Sequence, residues 1–206
     1  MGCDCLPLFA IATDPLGGSV VPATTANHCK PLQTTVNFYL IAIGTNLGDR
    51  LGNLHRGLDL LRECVQPQEM RVGGLYETDP VDCAPGTQAF LNSVIQLTAA
   101  CTPQELHAHL QAIEQAMGRP SVREKNSPRA LDLDLLYAGD FVSDDPVLTV
   151  PHPRLHLRRF VLQPLADLCP ALVLPGHQRS IQQHLDALTD DPAEVRLVEK
   201  DWMKPL

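Results

Sequence analysis

Aromatic side chains are scarce in this chain. They make up 4% of its 206 residues, and Trp202 is the sole tryptophan. The net charge is −8. Both features argue against a general nucleic-acid binder, which needs a basic surface and faces on which bases stack. Long apolar runs are missing too. None approaches the ~20 residues that a membrane-spanning helix requires, so no membrane association is expected. The cysteines number seven, an odd count, and no two are spaced Cys-x-x-Cys. That excludes a disulfide framework and a zinc ribbon, and points to a reducing, cytoplasmic setting. The eight histidines show no ligand spacing. His152 and His156 lie four apart, but Pro151 and Pro153 bracket the first and preclude a helical metal pair. The chain also has no Gly-x-x-x-x-Gly-Lys-Ser/Thr loop, which excludes P-loop chemistry.

What is present suits one globular domain: 44% of residues are hydrophobic and 19% charged. Residues 1–35 differ from the rest in being rich in Ala, Thr, Pro and Gly, with Lys30 their only basic residue. They lack the positive start of a secretory signal, the arginines of a mitochondrial presequence and the residue pattern for myristoylation. The expectation is a disordered leader, or translation upstream of the true start, that carries no activity. The domain is expected over residues 36–190, and 191–206 as a C-terminal tail.

Hydrophobic periodicity lays out the domain. Phe38–Ile43 reads as a strand, and Leu51, Leu54, Leu58, Leu61 and Val65 recur at helical spacing. Met70–Tyr76 reads as one weak strand interrupted by Gly73 and Gly74, and Phe90–Leu97 as another. Thr102-Pro103-Gln104-Glu105 is a helix start with a capping threonine, proline at the first position and glutamate three after the cap. Leu106, Leu110, Ile113 and Met117 give that helix its apolar stripe, and Gly118 ends it. A strand carrying two aspartates follows, then a short strand within Val147–Val150 and helices over Phe160–Leu168 and Ser180–Leu188. The order strand, helix, strand, strand, helix, strand predicts an α+β fold with a ferredoxin-like βαββαβ core, an antiparallel sheet packed with helices.

The most informative stretch is Pro128-Arg129-Ala130-Leu131-Asp132-Leu133-Asp134-Leu135-Leu136. A strand sends residues i and i+2 to one face, so Asp132 and Asp134 project together, ~7 Å apart, while Leu131, Leu133 and Leu135 pack behind. Such alternation also describes a solvated strand face. The surroundings favour a site. Residues 118–130 carry Arg119, Arg123, Lys125 and Arg129 against Glu124 alone, and 151–160 carry Arg154, Arg158 and Arg159 without an acid. Two basic patches beside paired carboxylates suit hard cations that carry a polyanion such as a nucleoside triphosphate.

These motifs, in this order, resemble the 6-hydroxymethyl-7,8-dihydropterin pyrophosphokinase family from Phe38 to Leu174. The segments are Gly44-Thr45-Asn46-Leu47-Gly48-Asp49-Arg50, Leu75-Tyr76-Glu77-Thr78, Phe90-Leu91-Asn92, Gln111-Ala112-Ile113-Glu114 with Gly118-Arg119, the aspartate strand, and Val150-Pro151-His152-Pro153-Arg154. The resemblance implies transfer of the β,γ-diphosphate of ATP to the hydroxymethyl group of a reduced pterin, with release of AMP, in folate biosynthesis. It implies two Mg²⁺ ions held by Asp132 and Asp134, and Arg119 and Arg129 on the transferring diphosphate. Gln111, Glu114, Lys125, His152 and Arg158 fall at nucleotide positions. Asn46, Thr78, Val81, Phe90, Asn92 and Phe160 fall at pterin positions, the two phenylalanines as a stacking pair. The partners implied are these two small molecules, and a monomer is expected.

Three positions depart from the family pattern: Asn126 stands where a tryptophan is usual, Ser121 where an arginine is frequent, and Asp79 where proline is usual. Asn126 and Ser121 leave open a non-catalytic relative that binds pterin or nucleotide without turnover, against which the retention of Asp132, Asp134, Arg119 and Arg129 counts. A generic nucleotidyltransferase using the Asp-x-Asp pair is a third reading, against which the phenylalanine and asparagine positions speak.

Overall fold

The alternating residues of the first strand settle the layering of the domain. In the computed structural model, which describes residues 36–80, 86–119, 128–189 and 194–203, this strand is β1, Asn37–Thr45. It is flanked by β4 (Phe90–Ala99) and β5 (Asp132–Ala138), antiparallel to both. β3 (Leu75–Thr78) pairs with the first part of β4, β2 (Glu69–Val72) with its second part, and β8 (Val195–Glu199) with the outer side of β3. The sheet order is β5-β1-β4-β3-β8.

Alternate residues of these strands face different helices. Ile41, Ile43, Leu91, Ile95, Leu133 and Leu135 join one buried cluster with Leu54, Leu58 and Leu61 of α1 (Arg50–Val65) and Leu106, Leu110 and Ile113 of α2 (Pro103–Ala116). Leu40, Val94 and Leu136 join a second cluster with Val161, Leu162 and Leu165 of α3 (Arg159–Leu168) and Ile181 and Leu185 of α4 (Ile181–Ala187). A register shift on β5 puts both Leu136 and Tyr137 on this second side.

Helix starts follow their capping signals. Asp49 accepts from the Gly52 amide at 3.0 Å. Thr102 and Glu105 form the expected reciprocal box, with Oγ1 accepting from the Glu105 amide at 3.2 Å and the Thr102 amide donating to Oε2 at 2.8 Å.

Three expectations change. The weak strand over 70–76 is two strands, because the chain at Gly73 runs against Pro164: a Cβ there would lie 2.6 Å from the Pro164 carbonyl oxygen. The short strand within 147–150 is β7 (Leu148–Val150), which forms a separate hairpin with β6 (Ser143–Asp145). Within 191–206, expected as a tail, the described residues 194–203 contribute β8 to the sheet and Trp202 to the first cluster. Trp202 is 3% exposed, donates from Nε1 to the Gly73 carbonyl at 3.0 Å and stacks on His55. No helix among the described residues is long and apolar enough to cross a membrane. Residues 1–35 lie outside the described residues.

Candidate active site

Strand register assembles the site. Asp132 pairs with Gly44, Gly44 with Asn92, and Asn92 with Tyr76. Residues opposed in an antiparallel sheet share a face, so Asp132 and Asn92 flank a glycine. Asp134 and Phe90 lie two residues along on the same face, and Thr78 is opposite Phe90. Gly44 makes room for this row: a Cβ there would sit 2.8 Å from Asn92 Oδ1. Asn92 donates from Nδ2 to Thr78 Oγ1 at 2.8 Å, with both side chains buried. Arg50 ties β3 to the start of β4, donating to Glu77 Oε1 and to the Ala89 carbonyl, each at 2.8 Å.

The charged half is built around Asp132. Arg129 reaches its Oδ1 at 3.0 Å and Arg119 reaches the same oxygen at 3.2 Å. Arg119 also pairs with Glu114. Glu114 is 3% exposed, and its Oε1 accepts from the Leu133 amide of β5 at 2.9 Å. It therefore joins α2 to the aspartate strand and orients Arg119. The signal was in the sequence: a glutamate beside Ile113 on the apolar stripe is buried, and a buried carboxylate needs a cation and donors. Asn46 likewise does more than line the first loop. Its Oδ1 accepts from the Arg129 amide at 2.8 Å and its own amide donates to the Arg129 carbonyl at 3.1 Å. Its Nδ2 is the one buried side-chain polar atom without a partner among the described residues.

Asp134 opens on a cleft of about 230 Å³ that His107, Leu135, Leu148, Thr149 and His152 help to line. Burial raises the affinity of the Asp134 carboxyl for its proton, and the neighbouring Asp132 adds to this. Burial also holds the His152 imidazole below its usual range, against the opposing pull of Asp134. His152 Nδ1 accepts from the Arg154 amide at 3.2 Å, so the neutral ring carries its proton on Nε2. The Arg158 guanidinium lies over the Phe160 ring, 5.5 Å from its centroid. Phe160 and Phe90 are both half-buried. Gln111 lies on the exposed side of α2, bonded to His107 at 3.0 Å. Val81, Lys125, Ser121 and Asn126 lie outside the described residues.

The structure thus brings together two carboxylates, two arginines, a polar pair beside an aromatic ring, and a cleft with a histidine at its wall. The described residues hold no set of three His, Cys, Asp or Glu side chains that could by itself hold a metal ion. Two carboxylates and an open cleft are nonetheless the donor set that Mg²⁺ takes when phosphate oxygens and water complete its shell.

Known proteins share this plan. The sequence pattern of the family described as 7,8-dihydro-6-hydroxymethylpterin-pyrophosphokinase matches residues 40–170. The chain is 40% identical over 136 residues to the 2-amino-4-hydroxy-6-hydroxymethyldihydropteridine pyrophosphokinase of Pseudomonas aeruginosa, covering 66% of this chain and 82% of that one. It is 39% identical over 134 residues to the protein of the same name from Bacillus subtilis, covering 65% and 78%. The folic acid synthesis protein fol1 of Schizosaccharomyces pombe is 36% identical over 148 residues, and the match spans 72% of this chain but 20% of that longer protein. For the pea folate synthesis bifunctional protein the corresponding share is 28%. The fold resembles that of an HPPK-DHPS crystallised in complex with substrates, with a TM-score of 0.57, 13% identity, and 74% of this chain and 44% of that one aligned. The chain belongs to the 7,8-dihydro-6-hydroxymethylpterin-pyrophosphokinase family.

Proposed function

We propose that this chain transfers the β,γ-diphosphate of ATP to the hydroxyl of 6-hydroxymethyl-7,8-dihydropterin. The pterin hydroxyl oxygen attacks the β-phosphorus, the bond to the α-phosphate oxygen breaks, AMP leaves and the hydroxyl proton is released. The observation that carries this reading is the arrangement at Asp132: two arginines on one oxygen, a second aspartate on the same strand face, and a cleft alongside. Asp132 and Asp134 would hold Mg²⁺, which when bound neutralises the phosphate chain on both sides of the broken bond. Arg119 and Arg129 lie where they can follow the charge onto the transferring group, and Glu114 fixes the first of them. His152 donates from Nε2 toward the triphosphate, and Arg158 adds positive charge at the same wall. On the pterin side, Phe90 and Phe160 offer ring faces, while the Asn92–Thr78 pair and the spare Asn46 Nδ2 offer groups for a flat amide-like edge. The substrates are small molecules and the acting unit is a monomer.

The test is direct. Incubated with Mg²⁺, ATP and the pterin alcohol, the chain should release AMP and pterin diphosphate in equal amounts, with no ADP. Saturable binding of both ligands without AMP would instead establish the non-catalytic relative.

A further inference from the structure

Helix α3 is seated on the break between β2 and β3, where two glycines leave the backbone bare. A Cβ on Gly73 would stand 2.6 Å from the Pro164 carbonyl oxygen, and one on Gly74 would stand 2.9 Å from Asp167 Oδ2. That close approach lets a side chain of the helix take hold of the sheet. Asp167 Oδ2 accepts from the Tyr76 hydroxyl at 2.8 Å and from the Gly74 amide at 3.2 Å. Gln163, one turn back on the same helix, bonds the same hydroxyl. Tyr76 itself is buried. Burial and the bond to Asp167 hold its phenol well above the usual range, so at neutral pH the hydroxyl keeps its proton and donates.

Both ends of this latch lead to the pterin side. On the sheet, Tyr76 is opposed to Asn92, and Thr78 lies two residues along the same strand. Asn92 shares its face with Val94, which packs in the cluster of α3. On the helix, Phe160, Gln163 and Asp167 follow at i, i+3 and i+7, a single stripe ~10 Å long. Phe160 stands at one end of the stripe and the anchored Asp167 at the other.

We propose that Asp167 is a positioning residue for pterin binding: by holding α3 to the Tyr76 hydroxyl, it sets the gap between Phe160 and the Asn92–Thr78 pair, given that these three residues hold the pterin as proposed above. A flat ligand gripped between a helix and a sheet needs the two held to within ~0.5 Å, by contacts that exist before it arrives. The apolar contacts of Val161, Leu162 and Leu165 press the helix onto the sheet but have no direction of their own. The hydrogen bonds at Asp167 do, and they fix the helix against rolling about its axis. Asp132, Asp134, Arg119, Arg129 and His152 lie outside α3 and β3, so the latch bears on the pterin more than on the nucleotide.

The experiment titrates the full chain by calorimetry with 6-hydroxymethyl-7,8-dihydropterin and, separately, with a non-hydrolysable ATP analogue and Mg²⁺, and follows AMP release in parallel. Tyr76→Phe and Asp167→Ala should each weaken pterin binding about fivefold, the scale of a lost hydrogen bond, and leave nucleotide binding nearly unchanged. KM for the pterin should rise to match while kcat at saturating pterin holds. The double variant should be no worse than Asp167→Ala alone, because one contact joins the pair. Asp167→Asn keeps an acceptor oxygen and should restore pterin binding. Thr102→Ala, destabilised at a distant helix cap, should bind the pterin as the unaltered chain does, which separates lost positioning from lost stability. Should Tyr76→Phe fail to fold, Asp167→Ala against Asp167→Asn, at an exposed position, decides alone. Unchanged pterin affinity in Asp167→Ala, or equal losses for pterin and nucleotide, would overturn the proposal. An unaltered chain that neither binds the pterin nor releases AMP would overturn it together with the reading of the site on which it rests.

Discussion

Asp134 carries opposing demands. Burial and Asp132 both favour its protonated form in the folded chain. A carboxyl whose folded pKa exceeds its unfolded one holds more protons when folded, so its contribution to stability falls as pH rises from the unfolded pKa through the folded one. Asp134→Asn should therefore raise the melting temperature of the metal-free protein at pH 7, by an amount that shrinks as pH is lowered through the carboxyl range. The same substitution should abolish diphosphoryl transfer, because a neutral amide cannot replace a carboxylate beside a triphosphate. Thermal scans across pH, paired with AMP release, check both halves. Turnover near that of the unaltered chain would remove Asp134 from the metal site. Gly44 makes the complementary case on the pterin side. Gly44→Ala would place a methyl 2.8 Å from Asn92 Oδ1 and push the amide off Thr78. One displaced hydrogen bond corresponds to roughly 0.5–1.5 kcal/mol, so pterin affinity should fall about three- to tenfold. ATP affinity should stay where it is. Calorimetric titration with each ligand separates the two.

Element by element, β5 and α2 were the most legible parts of the site. Asp132 and Asp134 fall on one face because side chains alternate along a strand, and the Thr102 box marks the start of α2 in the sequence itself. The place of Glu114 beside Ile113 announced its burial, but the segments that Glu114 and Asn46 hold were not legible in the same way. Each holds a segment distant in the sequence, Leu133 and Arg129 respectively, and such pairing depends on how elements pack. Periodicity marks which face of α2 is inward but not which residue waits there. Two substitutions weigh these kinds of information. Thr102→Ala removes a cap and should cost about 1 kcal/mol in a urea titration, leaving turnover nearly intact. Glu114→Ala strips a buried carboxylate from Arg119 and from the Leu133 amide, and should cost roughly 3–5 kcal/mol. Glu114→Gln keeps the shape and the amide contact, so it should fold better than the alanine variant yet turn over slowly with Arg119 released. Equal turnover in the glutamine variant and the unaltered chain would leave Glu114 a purely structural residue.

For the whole molecule, the layering followed from the strand pattern: odd positions of β1 and β4 meet α1 and α2, even ones meet α3 and α4. The closing segment did not, because β8 is short, mixes Arg196 and Glu199 with Leu197 and Val198, and shows no clean alternation. Its place is set by partners outside itself: the free edge of β3 and the carbonyl of Gly73, left at the break between β2 and β3. Trp202 fills that break, buried in the cluster shared with α1 and α2, on the opposite face of the sheet from Asp132, Asp134 and Asn92. This geometry separates stability from chemistry. Trp202→Ala opens a large cavity in a packed core and should cost about 3–5 kcal/mol. Trp202→Phe keeps a ring against His55 and loses only the Nε1 donor. The Gly73 carbonyl still accepts from Ser93 Oγ at 2.9 Å, so the loss should be nearer 1 kcal/mol. Both variants, assayed below their melting temperatures, should release AMP at close to the unaltered rate. A melting temperature unmoved by Trp202→Ala would detach residues 194–203 from the domain and return them to the status of a tail.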